Sequence, residues 1–295
     1  MSRVLFVNPS RAGQGQIPIN IPLLIGALKR DGHDVDLFDL TDYQTFEGIS
    51  AFERIFFKEA PFNTDKITAD RREFYGGLDG TPSGVELKRS DYASDFVQKI
   101  ENFKPDLIAA SSLSVDFSFI TEMLAKARQH FPDLRIAIGG IHAILQPDSV
   151  ENTGVYDFIC VGEGETALSG IVQVVENRRD PSTVPGIRYK KGNAYLRNSM
   201  ARLVELSEVT KSDFRCFDPI HFYRPFDGQR YKMLNYEFSR GCPFNCSYCV
   251  NGVLKGLYKG LGKYHRVKTI DQSIAELQEL VAEYKEDVPS IVEKS

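Results

Sequence analysis

Three of the five cysteines in this 295-residue sequence crowd into one short stretch, Cys242, Cys246 and Cys249, spaced as CxxxCxxC. Thiolates are soft ligands suited to zinc or to iron–sulfur clusters, and the informative feature is that there are three of them rather than four. A cubane iron–sulfur cluster normally takes four cysteine ligands, so a three-cysteine loop leaves one iron open to a small molecule. Structural zinc draws instead on paired CxxC or CxxC with HxxxH knuckles. Here a zinc site would have to recruit the distant His265, a poor match of spacing. The other two cysteines, Cys160 and Cys216, stand far apart in sequence, which argues for metal or redox chemistry and against a disulfide framework.

Something must position that loop. Residues 231–239 read as a strand running into Arg240-Gly241 and then the cysteines. Residues 269–284 follow as an amphipathic helix, with Ile270, Ile274, Leu277, Leu280 and Val281 on one face and Thr269 or Asp271 as its cap. Upstream, short apolar runs at 4–8, 35–39, 107–111, 136–139 and 158–161 alternate with helical patterns at 22–30, 92–103, 119–130, 147–152 and 165–177. Continuous apolar strands between helices predict an α/β fold with a doubly wound parallel sheet. Ligands of such sheets sit beyond the carboxyl ends of the strands. That rule singles out Asn8 and Pro9, Ser111 and Ser112, Gly139 to His142, and Gly162, Glu163, Gly164 and Glu165.

The predicted organisation is an α/β domain over residues 1–177, a linker over 178–230 and a second domain beginning at 231. The stretch 41–90 is too long for an α/β loop and reads as an insertion, with a helix of its own near 49–58 and aromatic side chains that pack on the host domain. The linker carries a hairpin, 186–189 with 194–197, around a Gly192-Asn193 turn.

Several function classes are excluded. Lys and Arg number 36 against 40 Asp and Glu, without long blocks of either sign, so no nucleic-acid footprint is present. The first apolar run is too short for a secretory leader and no stretch approaches a membrane span, so a cytoplasmic protein without membrane contact is expected. Gly13-Gln-Gly15-Gln-Ile-Pro18 fails as a dinucleotide loop because proline stands where the last glycine must pack, even though Asp39 ends the next strand. No Gly-Lys-Ser/Thr follows Gly162 to Glu165, which excludes a phosphate cradle there.

The CxxxCxxC motif, with aromatic Tyr248 before its last cysteine, resembles the radical S-adenosylmethionine (SAM) enzymes. The resemblance implies that Cys242, Cys246 and Cys249 bind a 4Fe-4S cluster whose fourth iron chelates SAM. Reductive cleavage of SAM would then yield a 5'-deoxyadenosyl radical that abstracts hydrogen from substrate. It also implies a low-potential electron donor of the flavodoxin or ferredoxin type and a small-molecule substrate. For Tyr248 the resemblance implies contact with the SAM adenine, the alternative being packing over the cluster.

The amino-terminal domain resembles the cobalamin-binding domain that precedes the radical SAM domain in one subgroup. Asn8-Pro9, Lys104-Pro105-Asp106-Leu107-Ile108, Gly139-Gly140-Ile141-His142 with Pro147, and Val161-Gly162-Glu163-Gly164-Glu165 carry the likeness. Glycines there suit a planar corrin that needs bare backbone beneath it. The resemblance therefore adds cobalamin as a cofactor and implies a methyltransferase or other carbon-skeleton modifier.

The DxHxxG motif of histidine-ligating cobalamin domains is absent from the first strand's loop, and Asp31-Gly32-His33 lies elsewhere, so a corrin here would lack a histidine ligand from that motif. His142 reads either as a neighbour of the corrin edge or as a histidine satisfying a loop group. Methylthiotransferases resemble a pattern with three further amino-terminal cysteines, and only Cys160 precedes the linker. Residues 231–295 are too few for a barrel of about 250 residues, so the opening one or two βα units of an incomplete radical SAM barrel are expected. A non-catalytic cobalamin- or cluster-binding module, and a radical SAM enzyme without cobalamin, are the competing readings.

Overall fold

The structure, a computed structural model, describes residues 1–10, 17–43, 88, 90–226 and 229–284. The Gly13 to Pro18 loop in large part, most of the 41–90 insertion and its expected helix at 49–58 lie outside the described residues.

Five strands, β1 (Arg3–Asn8), β2 (Asp34–Asp39), β3 (Leu107–Ser111), β4 (Arg135–Gly139) and β5 (Phe158–Cys160), pair in parallel in the order β2-β1-β3-β4-β5. This is the flavodoxin-like order of a doubly wound sheet. Alternate residues feed two cores. On one face Val4, Phe6, Leu107 and Ala109 pack under α1 (Asn20–Arg30). On the other, Leu5, Val7, Ile108 and Ala110 pack under α2 (Tyr92–Phe103) and α3 (Phe117–His130). Both faces are covered, which is why the strands are apolar throughout rather than alternating. α2 ends where Lys104 turns left-handed at φ 50°, before Pro105, which disfavours further helix. Asp106 then accepts a hydrogen bond from the Arg3 backbone N–H at 2.7 Å, fixing the entry of β3 against β1.

After β4 come α4 (Ile141–Leu145), which the sequence pattern did not separate from its neighbour, and α5 (Pro147–Thr153). After β5 comes α6 (Gly164–Val175), packed on the α1 face.

The hairpin assigned to the linker does not stand apart. β6 (Ile187–Lys191) pairs antiparallel with β5, and β7 (Ala194–Arg197) with β6, extending the sheet to seven strands. Arg188 and Arg197 tie this edge to Asp148 and Glu151 of α5. The sheet is thus parallel through five strands and antiparallel at one edge.

The strand expected over 231–239 is a correction. A hairpin of β8 (Tyr223–Phe226) and β9 (Gln229–Lys232) is followed by irregular chain and then by β10 (Ser239–Arg240), which pairs antiparallel with β11 (Arg266–Val267). The alternating Leu234 and Tyr236 pack on the core of the first domain instead of in a ladder, and the Asn235 amide donates to the Ile17 carbonyl at 2.5 Å.

α7 (Asn251–Leu257) follows the cysteines, and α8 (Ile270–Tyr284) ends the described chain. α8 buries one residue of the face its pattern predicts, Leu280. Leu280 and Tyr284 are buried, Tyr284 lying edge-on to Phe214 and Phe222, whereas Ile270, Ile274, Leu277 and Val281 are exposed. The Tyr284 hydroxyl accepts from the Phe214 N–H at 2.9 Å, so a polar anchor and two rings outweigh the longer aliphatic stripe. Among the described residues, no helix is long and apolar enough to cross a membrane.

Candidate functional site

Beyond the carboxyl ends of β3, β4 and β5 lies a cavity of about 280 Å3. Ser111, Gly139, Gly140, Gly162, Glu163, Gly164 and Glu165, all singled out from the sequence, line it. Apolar residues of β1, α1 and α6 (Phe6, Leu23, Leu24 and Leu168) complete its floor. Backbone proximity explains Gly140. Its φ is +92°, and a Cβ there would meet the Ser112 carbonyl oxygen at 2.6 Å and the Ser112 nitrogen at 2.7 Å. The loops after β3 and β4 are locked together by Ser112 N–H donating to the Gly139 carbonyl and His142 N–H donating to the Ser112 carbonyl. Asn20, which sequence reasoning missed, donates from its amide to Ser111 Oγ at 2.6 Å at the cavity wall. Cys160 also lines the cavity, and burial, with the Glu165 charge beside it, pushes its thiol up to about 12, keeping it neutral.

The remaining candidates on this domain lie off the cavity lining. Asn8 is buried and donates to Asp39 Oδ1 at 2.9 Å, joining the ends of β1 and β2, with buried Pro9 beside it. Ser112 is buried and donates its hydroxyl to the Leu113 carbonyl. His142 uses both ring nitrogens, Nδ1 with Ser114 Oγ and Nε2 with Ser149 Oγ at 3.0 Å each, and stacks on Phe117 at 3.9 Å. Burial holds its imidazole below the ordinary value. Of the two readings of His142, the geometry matches the satisfied loop histidine.

The cysteine loop leaves β10 at Gly241, where a Cβ would meet the Tyr264 carbonyl oxygen at 2.2 Å. Cys242 and Cys249 are partly exposed, Cys246 is exposed, and the Phe244 and Tyr248 rings are 70% and 90% exposed. Lys255 of α7 pins the loop from within, its Nζ donating to the carbonyls of Pro243 and Phe244 and to Asn245 Oδ1 at 3.0, 2.7 and 2.6 Å. Asn251 donates from its backbone and its side chain to Cys249 Sγ, which holds that thiol below its usual value. Tyr264 in turn donates to Asn251 Oδ1 at 2.6 Å.

Among the described residues, the cysteine sulfurs are not within 4.8 Å of one another; the one trio of ligand atoms so grouped is elsewhere.

Arg240, two residues before Cys242, joins the two halves of the site. Its guanidinium pairs with Glu163 at 3.1 Å, with Glu165 at 2.7 Å and with Glu237 at 2.7 Å. Arg266 of β11 reaches Glu163 from the other side at 2.5 Å, and the Val204 N–H donates to the same carboxylate at 2.8 Å. Burial alone pushes Glu163 up, yet these hydrogen bonds and the neighbouring guanidinium charges outweigh it and hold the carboxyl below its usual range. Arg240 and Glu237 also line the cavity, so one ion network forms the cavity rim and the root of the cysteine loop. Neither arginine was singled out from the sequence. The available signal was a cation immediately preceding the cysteines and a Gly-Glu-Gly-Glu run needing counter-charge.

Residues 82–172 match the B12 binding domain family. That match spans 91 of the 295 residues and lies ahead of the CxxxCxxC loop. The chain is 28% identical over 173 residues to the anaerobic magnesium-protoporphyrin IX monomethyl ester cyclase of Rubrivivax gelatinosus, covering 56% of this chain and 30% of the cyclase. It is 22% identical to the hopanoid C-3 methylase of Methylococcus capsulatus, over 66% of this chain and 36% of the methylase. The chain therefore spans about a third of the length of these curated relatives.

Among solved structures, the cobalamin-dependent SAM radical enzyme OxsB superposes with a TM-score of 0.63 at 16% identity, over 97% of this chain and 32% of OxsB. The radical SAM methyltransferase TsrM of Kitasatospora setae gives 0.57 at 19%, over 96% of this chain and 46% of TsrM. These likenesses show the fold alone.

Proposed function

We propose that the protein is the amino-terminal portion of a cobalamin-dependent radical SAM enzyme that transfers a methyl group to a small-molecule substrate. The observation that supports it best is the shared rim: Arg240 belongs both to the cavity under the strand ends and to the root of the cysteine loop. The residues present fit both groups. Gly139, Gly140, Gly162 and Gly164 give bare backbone at the cavity mouth for a planar macrocycle, and the three accessible thiols give soft donors for iron. Bound there, the cluster supplies the electron that cleaves SAM, and the corrin supplies a transferable methyl.

This chain's own residues position and shield. Cys242, Cys246 and Cys249 hold the cluster, Lys255 keeps their loop folded back on itself, and exposed Tyr248 offers a ring for the SAM adenine. Glu163 and Glu165 are rim carboxylates engaged by arginine, so they shape the mouth rather than reach into it as free charges. A low-potential flavodoxin- or ferredoxin-type donor delivers the electron. The relatives named as methylases support methyl transfer, while the cyclases show that the same subgroup also forms rings.

The test is anaerobic reconstitution of the full chain with iron and sulfide, followed by titration with hydroxocobalamin. About four irons per chain, a reducible cluster, and a corrin spectrum that stays with the protein are expected. Replacing Cys242, Cys246 and Cys249 by serine should cut bound iron at least tenfold and leave corrin binding intact. Corrin retention without a cluster in the unaltered chain would reduce the protein to a binding module; a cluster without corrin would remove cobalamin from the proposal.

His142→Ala offers a second check. It removes two hydrogen bonds and a ring stack, about 2 kcal/mol together. A thermal midpoint lower by several degrees is expected, with hydroxocobalamin affinity unchanged within about threefold, since His142 lies off the cavity lining. A larger loss of affinity would place its ring against the corrin.

A further inference from the structure

A second cluster of ligating side chains lies away from the cysteine loop, at the β2 end of the sheet. Asp39 ends β2, Asp42 closes the 3-10 turn Leu40–Asp42, and His221 comes from the 3-10 turn Pro219–Phe222. One ligand atom from each lies within 4.8 Å of the other two. His221 Nε2 meets Asp42 Oδ1 at 2.6 Å.

Asp39 carries the argument. It is only 9% exposed, and its Oδ1 accepts three hydrogen bonds, from Asn8 Nδ2 at 2.9 Å, the Thr41 N–H at 3.0 Å and Thr41 Oγ1 at 2.7 Å. Its Oδ2 is sealed from solvent and has no partner. A buried carboxylate oxygen without a donor is costly and rare. The donors that saturate Oδ1 leave Oδ2 as the oxygen able to take a ligand. Lys88 stands 3.2 Å from Asp42 Oδ2, but its side chain is 54% exposed and it does not supply the missing partner of Asp39. Asp39 and Asp42 also line a cavity of about 290 Å3, whose lining does not include His221.

We propose that Asp39, Asp42 and His221 bind a divalent cation of the manganese-to-zinc class. Two carboxylates and one imidazole are the donors such ions share, with water completing the shell. Calcium, which takes six to eight oxygens, suits this trio less. On binding, the Asp42–His221 hydrogen bond is exchanged for two bonds to the ion, and Asp39 Oδ2 gains its partner. The ion would clasp the end of β2 to the segment leading into β8.

The probe is Mn2+ added to chelator-treated full chain, with the free ion followed by electron paramagnetic resonance. Manganese discriminates against the thiolate loop, which prefers softer metals. One Mn2+ per chain is expected, retained when Cys242, Cys246 and Cys249 are serine and displaced by Zn2+. Asp39→Asn keeps an oxygen for Asn8 and Thr41 while replacing the orphan oxygen by an amide, and should weaken Mn2+ at least tenfold. His221→Ala, read in parallel, covers the case in which Asp39→Asn does not fold. Absence of bound Mn2+, loss of it in the serine variant, or an affinity in the folded aspartate and histidine variants unchanged from that of the unaltered chain would overturn the site.

Discussion

Arg240→Ala is expected to cost about 3 kcal/mol of stability, the lower end of the range for breaking a buried pair, because a fifth of the side chain still meets water. The variant leaves three carboxylates, Glu163, Glu165 and Glu237, facing one another, with Arg266 able to answer only the first. Those carboxylates lie on the cavity rim and just before the cysteine loop, so the loss is local as well as global. Hydrogen exchange at residues 239–242 should rise together with a lowered thermal midpoint. Iron incorporated on reconstitution should hold less SAM.

Arg240→Lys should recover only part of the effect. An ammonium cannot address three carboxylates with the planar fork that reaches Glu163 through Nη1 and Glu165 and Glu237 through Nη2. An unchanged melting curve in the alanine variant would show that Arg266 alone neutralises the rim.

Gly140→Ala is expected to be at least as severe, about 4 kcal/mol, from backbone strain at φ +92° added to a steric clash. The atoms a methyl would strike, the Ser112 nitrogen and carbonyl oxygen, are themselves hydrogen-bonded to the Gly139 carbonyl and the His142 N–H. They cannot yield without opening the join between the loops after β3 and β4. A thermal midpoint lower by about 10 °C is expected, together with at least tenfold weaker corrin binding, because the displaced backbone is the cavity wall. Retention of both the midpoint and the affinity would mean that this wall is soft and does not shape the site.

The parallel strands were legible because each is an uninterrupted apolar run. A sheet covered on both faces needs that pattern, and residues 107–110 show it. The three cysteines were legible for a similar reason, since thiols carried by one short loop are close in sequence. Two elements misled. The 231–239 alternation looked like a strand, yet Leu234 and Tyr236 alternate in order to pack on the first domain. The apolar stripe of α8 looked like its buried face, yet Tyr284 and Leu280 anchor the helix and leave Ile270, Ile274 and Leu277 outside.

What the sequence by itself determined was the set of ingredients: an alternation of strands and helices, glycines at strand ends and a loop of three thiols. These are properties of neighbours along the chain, written into periodicity and spacing. Only the tertiary structure decided which strand-end residues face the cavity, that His142 is fully engaged by two serines, and that Arg240 binds the two halves together. It also decided that His221 meets Asp42, 179 positions away. Such pairings depend on where the sheet's edges and loops come to rest, and contacts between distant residues leave no period in the sequence to read.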